Sequence, residues 1–181
     1  MITENLNLKY LGEEIVECIN CGKKTFRIRH YYLYKVPYFG SVVLEVGICD
    51  KCGFRRRDVS VIEAGKPVRI IVRIKKKEDL NALVVKSSRA TIIIPELGIE
   101  VYPGPIAPGY ITTIEGILMN ILDVIPSECF DERKPCYSKV KEIRRAIEGE
   151  LPFTLIIEDP TGKSDVKGKG LSVVKEELTQ S

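Results

Sequence analysis

Cys18-Ile19-Asn20-Cys21-Gly22 and Cys49-Asp50-Lys51-Cys52-Gly53 are two copies of one pattern, C-x-x-C-G. Two residues between cysteines bring both thiolates onto one tight turn, about the geometry a tetrahedral ion requires. The trailing glycine permits a backbone conformation in which amide N–H groups point at sulfur. Four thiolates leave no coordination position open. The pattern therefore predicts one structural Zn2+ held by Cys18, Cys21, Cys49 and Cys52, rather than a catalytic metal. The competing reading, four free or disulfide-bonded cysteines, does not account for the repeated spacing.

The segment between the pairs is long enough for a β-hairpin, as in zinc ribbons. Within it Phe26, Ile28, His30, Tyr32, Tyr34 and Val36 alternate with Arg27, Arg29, Tyr31, Leu33 and Lys35. That period of two reads as a strand with one apolar, aromatic face. Downstream, Val68, Ile70, Val72 and Ile74 repeat the alternation. Short apolar runs follow at 90–94, 99–102, 153–157 and 171–174, separated by Pro and Gly, a spacing that argues a sandwich or barrel. Helical periodicity interrupts the strands. Thr112-Thr113-Ile114-Glu115 reads as a capping box with Thr112 as the cap, ahead of Ile114, Ile117, Leu118, Ile121 and Leu122, and Pro126 ends the run. A second helix is expected at 138–148, with Val140, Ile143 and Ile147 inward and Gly149 as its stop.

The expected fold is thus mainly β with a helical hairpin. It divides into a finger at residues 1–61 and a barrel-like β domain at 62–181, the hairpin being inserted at about 112–149. The chain of 181 residues is 44% hydrophobic, enough for a real core, and its mean hydropathy is −0.01. No apolar run approaches the roughly 20 residues of a membrane helix. The N-terminal Met1-Ile2-Thr3-Glu4-Asn5 lacks a basic head followed by an apolar stretch, so a cytoplasmic protein without a signal peptide is expected. A net charge of +3 is too weak to argue nucleic-acid binding alone.

Catalytic constellations fail one by one. His30 is the sole histidine and lies on an apolar strand face, where a packed histidine is the simpler reading. Gly162-Lys163-Ser164 resembles the end of a phosphate-binding loop, but that motif needs a glycine where Ile157 stands. Asp159-Pro160-Thr161-Gly162 reads instead as turn chemistry. Cys129 and Cys136 lack metal spacing and read as core or surface thiols, with a disulfide as the alternative. Arg55-Arg56-Arg57 and Lys75-Lys76-Lys77 are basic clusters of the kind with which zinc ribbons contact nucleic acid, or else solvated strand ends.

Several anchors in fixed order give the chain a family likeness. They are the two knuckles, Val36-Pro37-Tyr38-Phe39, Cys52-Gly53-Phe54-Arg55, Asp79-Leu80-Asn81 and Val84-Val85-Lys86-Ser87. Ala90-Thr91-Ile92-Ile93-Ile94-Pro95-Glu96-Leu97, Thr112-Thr113-Ile114-Glu115-Gly116 and the run from Phe153 through Pro160 complete the set. On these residues the chain resembles the ZPR-type zinc-finger proteins. The resemblance implies a four-cysteine finger followed by a double-stranded β-helix. It also implies a non-enzymatic protein that engages translation elongation factor 1-alpha, aiding its folding or controlling its availability. Eukaryotic members carry two such modules, whereas one is present here, and Ala82 stands where the family pattern has a basic residue. Tyr38, Phe39 and Phe54 are the candidate apolar partner contacts, Tyr38 and Phe39 reading equally as core residues that hold the ribbon, with Arg55 and Arg56 to steer an acidic partner. Nucleic acid is the alternative partner.

Overall fold

The computed structural model describes residues 7–36, 40–62 and 65–178. Four antiparallel strands come first: β1 (Leu8–Val16), β2 (Phe26–Val36), β3 (Gly40–Cys49) and β4 (Arg55–Val61), paired in chain order. The expected strand through 26–36 is β2, but its apolar residues do not share one face. Lys35 adopts a positive φ of 56°, and the register against β3 slips between Tyr34 and Val36. Such a bulge reverses the in–out alternation beyond it. Leu33 and Val36 consequently pack together on Val42 and Val59, while Phe26 and Ile28 pack beside the cysteines at the other end.

The rest of the chain encloses the main core. Its strands are β5 (Val68–Ile74), β6 (Leu83–Lys86), β7 (Thr91–Ile94), β8 (Ile99–Val101) and β9 (Tyr110–Thr113). Two helices follow, α1 (Ile114–Val124) and α2 (Tyr137–Ile147), then β10 (Phe153–Asp159), β11 (Asp165–Lys167) and β12 (Val173–Glu177). They form a five-stranded sheet in the order β12-β5-β10-β7-β8 and a three-stranded sheet in the order β11-β6-β9. Ile70, Val72 and Ile74 of β5 stand opposite Ile157, Leu155 and Phe153 of β10, and all six are buried. Val84 of the smaller sheet and Ile114, Ile117, Leu118 and Ile143 of the helices close over them. Each such side chain contributes about 1.5–3 kcal/mol on burial.

Helix α1 begins one residue later than its capping signal suggests. Thr113 is the cap, its Oγ1 accepting from Gly116 N at 3.0 Å. Thr112 stays in β9 opposite Val84, which removes it from the capping position. In the connection between the helices Cys129 and Cys136 are joined by a disulfide.

β4 joins the finger sheet to the second unit. Val36, Val42 and Val59 pack on Val85 of β6. Beside this apolar seam runs a buried polar one. Asp58 of β4 accepts from Ser88 N and Ser88 Oγ, each at 2.9 Å, and Val61 N donates to Lys163 O at 3.1 Å. Ser87 N donates to Ser164 Oγ at 3.0 Å, which in turn donates to Asp159 at 2.6 Å. Gly109 approaches β4 so closely that a Cβ there would lie 2.3 Å from Asp58 Oδ1 and 2.7 Å from Val59 N. The loop between β8 and β9 is thereby pressed on the finger, with Gly109 N donating to Arg57 O at 3.1 Å.

Candidate metal centre

The two C-x-x-C-G segments fold into matching turns. Gly22 N donates to Cys18 O at 2.8 Å, and Gly53 N donates to Cys49 O at 2.9 Å. Both glycines take the left-handed φ expected of them, 65° and 71°. Cys18 N and Cys49 N then donate back to Lys23 O and Phe54 O, each at 2.8 Å. The strands β2 and β3 set these turns side by side, with Phe26 directly opposite Cys49.

One ligand atom from each of Cys18, Cys21, Cys49 and Cys52 lies within 4.8 Å of the others. The sulfurs of Cys18 and Cys52 are 3.8 Å apart, as are those of Cys21 and Cys49. A Zn–S bond of about 2.3 Å in tetrahedral geometry separates its sulfurs by about 3.8 Å. The donor set therefore fits one zinc ion in size and in chemistry. Both separations match tetrahedron edges, and all four sulfurs stay within 4.8 Å of one another.

The shell around the sulfurs favours thiolate. The Thr25 hydroxyl lies 3.2 Å from Cys49 Sγ and, with the Cys52 and Lys51 amides, draws that thiol down to about 6. Asn20 Nδ2 donates to Cys52 Sγ at 3.5 Å and, with the Phe54 amide, lowers that thiol too. Cys21 goes the other way, to about 11. The Lys23 amide pulls it down, but burial and the three neighbouring sulfurs outweigh that donor. Four adjacent thiols do not all ionise unaided; a dication among them supplies the missing stabilisation.

The remaining candidates are dispersed. Phe54 is half-buried, its ring 5.7 Å from that of Phe26 beneath the cysteines. Arg55 is exposed, whereas Arg56 is half-buried and turns to the junction, Nη2 donating to Ser88 Oγ at 3.4 Å. Tyr38 and Phe39 lie outside the described residues. His30 sits between two carboxylates, 3.5 Å from Glu14 and 3.8 Å from Glu45, in the middle of the sheet. Of the second basic cluster, Lys77 pairs with Glu148 at 2.9 Å. Arg57 joins Arg55 on one face, a placement that strand parity alone would have given. Among the described residues no helix is long and apolar enough to cross a membrane.

Comparison with known proteins agrees with this architecture. The ZPR1 zinc-finger domain matches residues 13–66, and the ZPR1 jelly-roll domain matches residues 78–180. A jelly roll is the double-stranded β-helix expected from the sequence. A ZPR1-like protein of Methanocaldococcus jannaschii is 38% identical over 169 residues, covering 90% of this chain and 83% of that protein. One from Pyrococcus horikoshii is 33% identical, covering 90% and 78%. The zinc finger chaperone of Schizosaccharomyces pombe is 36% identical over 84% of this chain, which spans 34% of that longer protein. With a four-cysteine zinc finger leading into a jelly roll, the chain belongs to the ZPR1 family.

Proposed function

We propose that this protein engages translation elongation factor 1-alpha without catalysing a reaction, assisting its folding or governing its availability. The observation that carries the reading is kinship over nearly the whole chain, including kinship to a fission-yeast protein named as a zinc finger chaperone. A partner of that kind places the protein in the cytoplasm.

In this reading Cys18, Cys21, Cys49 and Cys52 hold the single zinc ion, whose role is structural. The ion ties the β1–β2 and β3–β4 connections together and so fixes the outer end of the finger sheet. Residues up to about 61 form the finger and those from about 62 the jelly roll, and the junction described above keeps the two in one orientation. Arg55 lies on the finger's exposed surface, where charge steers encounter with an acidic partner.

The test is titration calorimetry of the zinc-loaded protein with the elongation factor of the same organism, in its GDP and GTP forms. Binding in the micromolar range or tighter to at least one form is expected. Heat absent from both forms at tens of micromolar overturns the reading and moves nucleic acid to first place as the partner.

A further inference from the structure

Strand register gathers one set of residues that the cysteines do not explain. Arg27, Ile48 and Arg55 stand side by side across β2, β3 and β4, and the next row on the same face is Arg29, Val46 and Arg57. Residues directly opposite on antiparallel strands project to the same side of the sheet. The two rows therefore build an aliphatic ridge on β3 with an arginine on either flank at both levels. A groove of about 110 Å3 runs along the Arg27 and Arg29 side, closed by Tyr31. A larger one of about 390 Å3 runs along the Arg55 and Arg57 side, where Ile106 and Pro108 of the jelly roll form its far wall.

We propose that this face is a docking surface for a protein segment that combines acidic with apolar side chains. This deepens the functional reading above, and rests on it, by naming the partner's chemistry and the face that meets it. Ile48 is 38% exposed and Ile106 is 61% exposed, and both line the larger groove beside Arg55 and Arg57. The charge is unevenly compensated. Arg27 reaches Glu13 and Asp50, and Arg29 shares Glu13 at 3.2 Å. Among the described residues Arg55 and Arg57 have no carboxylate within ion-pair distance. Among the described residues their groove thus presents two arginines without a carboxylate partner, beside an apolar wall.

That mixture selects a protein over a nucleic acid. Phosphates would satisfy the arginines, but the larger groove, where Arg55 and Arg57 stand, is walled by Val46, Ile48 and Ile106 and holds no ring on which a base stacks; the ring of Tyr31 lies in the smaller groove, packed on Tyr10. On the opposite flank Glu13 and Asp50 already pair with Arg27 and Arg29, which leaves the anion-accepting charge on the Arg55 and Arg57 side. A segment laying apolar residues over the ridge and carboxylates into the larger groove satisfies every group named.

The test uses the full zinc-loaded chain and two kinds of probe. Amide chemical shifts are followed on adding a short synthetic peptide alternating Glu and Leu, its Lys and Leu counterpart, or a single-stranded RNA oligomer. Shifts centred on Val46, Ile48 and Arg55 with the Glu peptide, absent with the Lys peptide, are expected. In parallel, the combined Arg55→Glu and Arg57→Glu variant, and separately Ile48→Ala, are titrated with the elongation factor. Lys141→Glu on α2 serves as control, and zinc content and circular dichroism confirm folding. A loss of about thirtyfold is expected for either variant and none for the control. Glu-peptide shifts elsewhere or nowhere, or RNA seated more tightly on the ridge, overturn the proposal. Factor binding that all variants retain overturns this face and leaves the functional reading standing. Ridge-specific peptide binding without factor binding overturns the functional reading alone.

Discussion

Replacing Asp159 with Asn tests whether the buried polar seam holds the molecule together. The Asp159 side chain is fully buried and accepts five hydrogen bonds. Thr161 N and Thr161 Oγ1 reach Oδ1 at 2.8 and 2.7 Å. Lys163 N, Ser164 N and Ser164 Oγ reach Oδ2 at 3.0, 2.8 and 2.6 Å. An asparagine fits the same space but turns one oxygen into a donor. Its nitrogen does least harm at Oδ1, where the Thr161 hydroxyl can rotate to accept and one backbone N–H is left unpaired. That orphan costs about 1–3 kcal/mol, and bonds to the surviving oxygen lose their charge assistance, for a total of about 3 kcal/mol. With a urea m-value of about 2 kcal/mol per molar, the midpoint falls by about 1.5 M. The pH dependence has a definite sign. Burial pushes the Asp159 carboxyl up, but its donors, Ser164 and Thr161 first, more than offset that and hold it below its ordinary value. A carboxylate so lowered stabilises fully above its unfolded pKa, about 3.9, and loses that contribution as pH falls through the lower folded value. Urea melts followed by circular dichroism should show a constant gap between wild type and variant from pH 5 to 8, narrowing only below about pH 4. A gap under about 1 kcal/mol at neutral pH, or one that varies between pH 5 and 8, refutes the reasoning.

Two further outcomes follow from the same architecture. Removing zinc with a chelator should abolish hydrogen-exchange protection in β1 to β3 while β5, β7 and β10 keep theirs, because the ion closes only the finger's loops; uniform loss would contradict this. Gly109→Ala should lower stability by about 1–3 kcal/mol in a urea melt, since its Cβ meets Asp58 and the Val59 amide well inside contact distance, and an unchanged midpoint would show the loop free to retreat.

Much of this was legible because its causes are local. A C-x-x-C-G knuckle contains within five residues the thiols, the left-handed glycine and the amides that turn toward sulfur. The alternation in β5 and β10 and the apolar stripes of α1 and α2 are likewise properties of short windows. β1, β6, β9 and β11 escaped notice: β1 is exposed along most of its length and mixes apolar with charged residues, and the other three are short and lack a marked alternation. The bulge at Lys35 escaped because a lysine at positive φ carries no sequence signal; it divides what looked like a single apolar face. Asp159-Pro160-Thr161-Gly162 announced a turn, but not that the turn is buried. Ser87 and Ser164 meet from 77 residues apart, and no local pattern encodes that meeting. Arg57 was within reach: strand parity places it with Arg55 and sends Arg56 to the opposite face.

The ridge is held at both ends, by the metal site and by the jelly roll. Ile48 directly precedes Cys49, so the zinc end of β3 fixes one end of the ridge. Arg57 directly precedes Asp58, whose carboxylate is locked by Ser88 of the jelly roll, so the junction fixes the other. Ile106 reaches the larger groove only because Gly109 lets its loop lie against β4. An isolated four-stranded sheet would have to order these side chains at the moment of binding, at about 0.5–1.5 kcal/mol for each long side chain immobilised. Anchored at both ends, the arginines and the ridge are presented on a backbone already set. Loosening either anchor should therefore weaken docking even where no contact residue is changed.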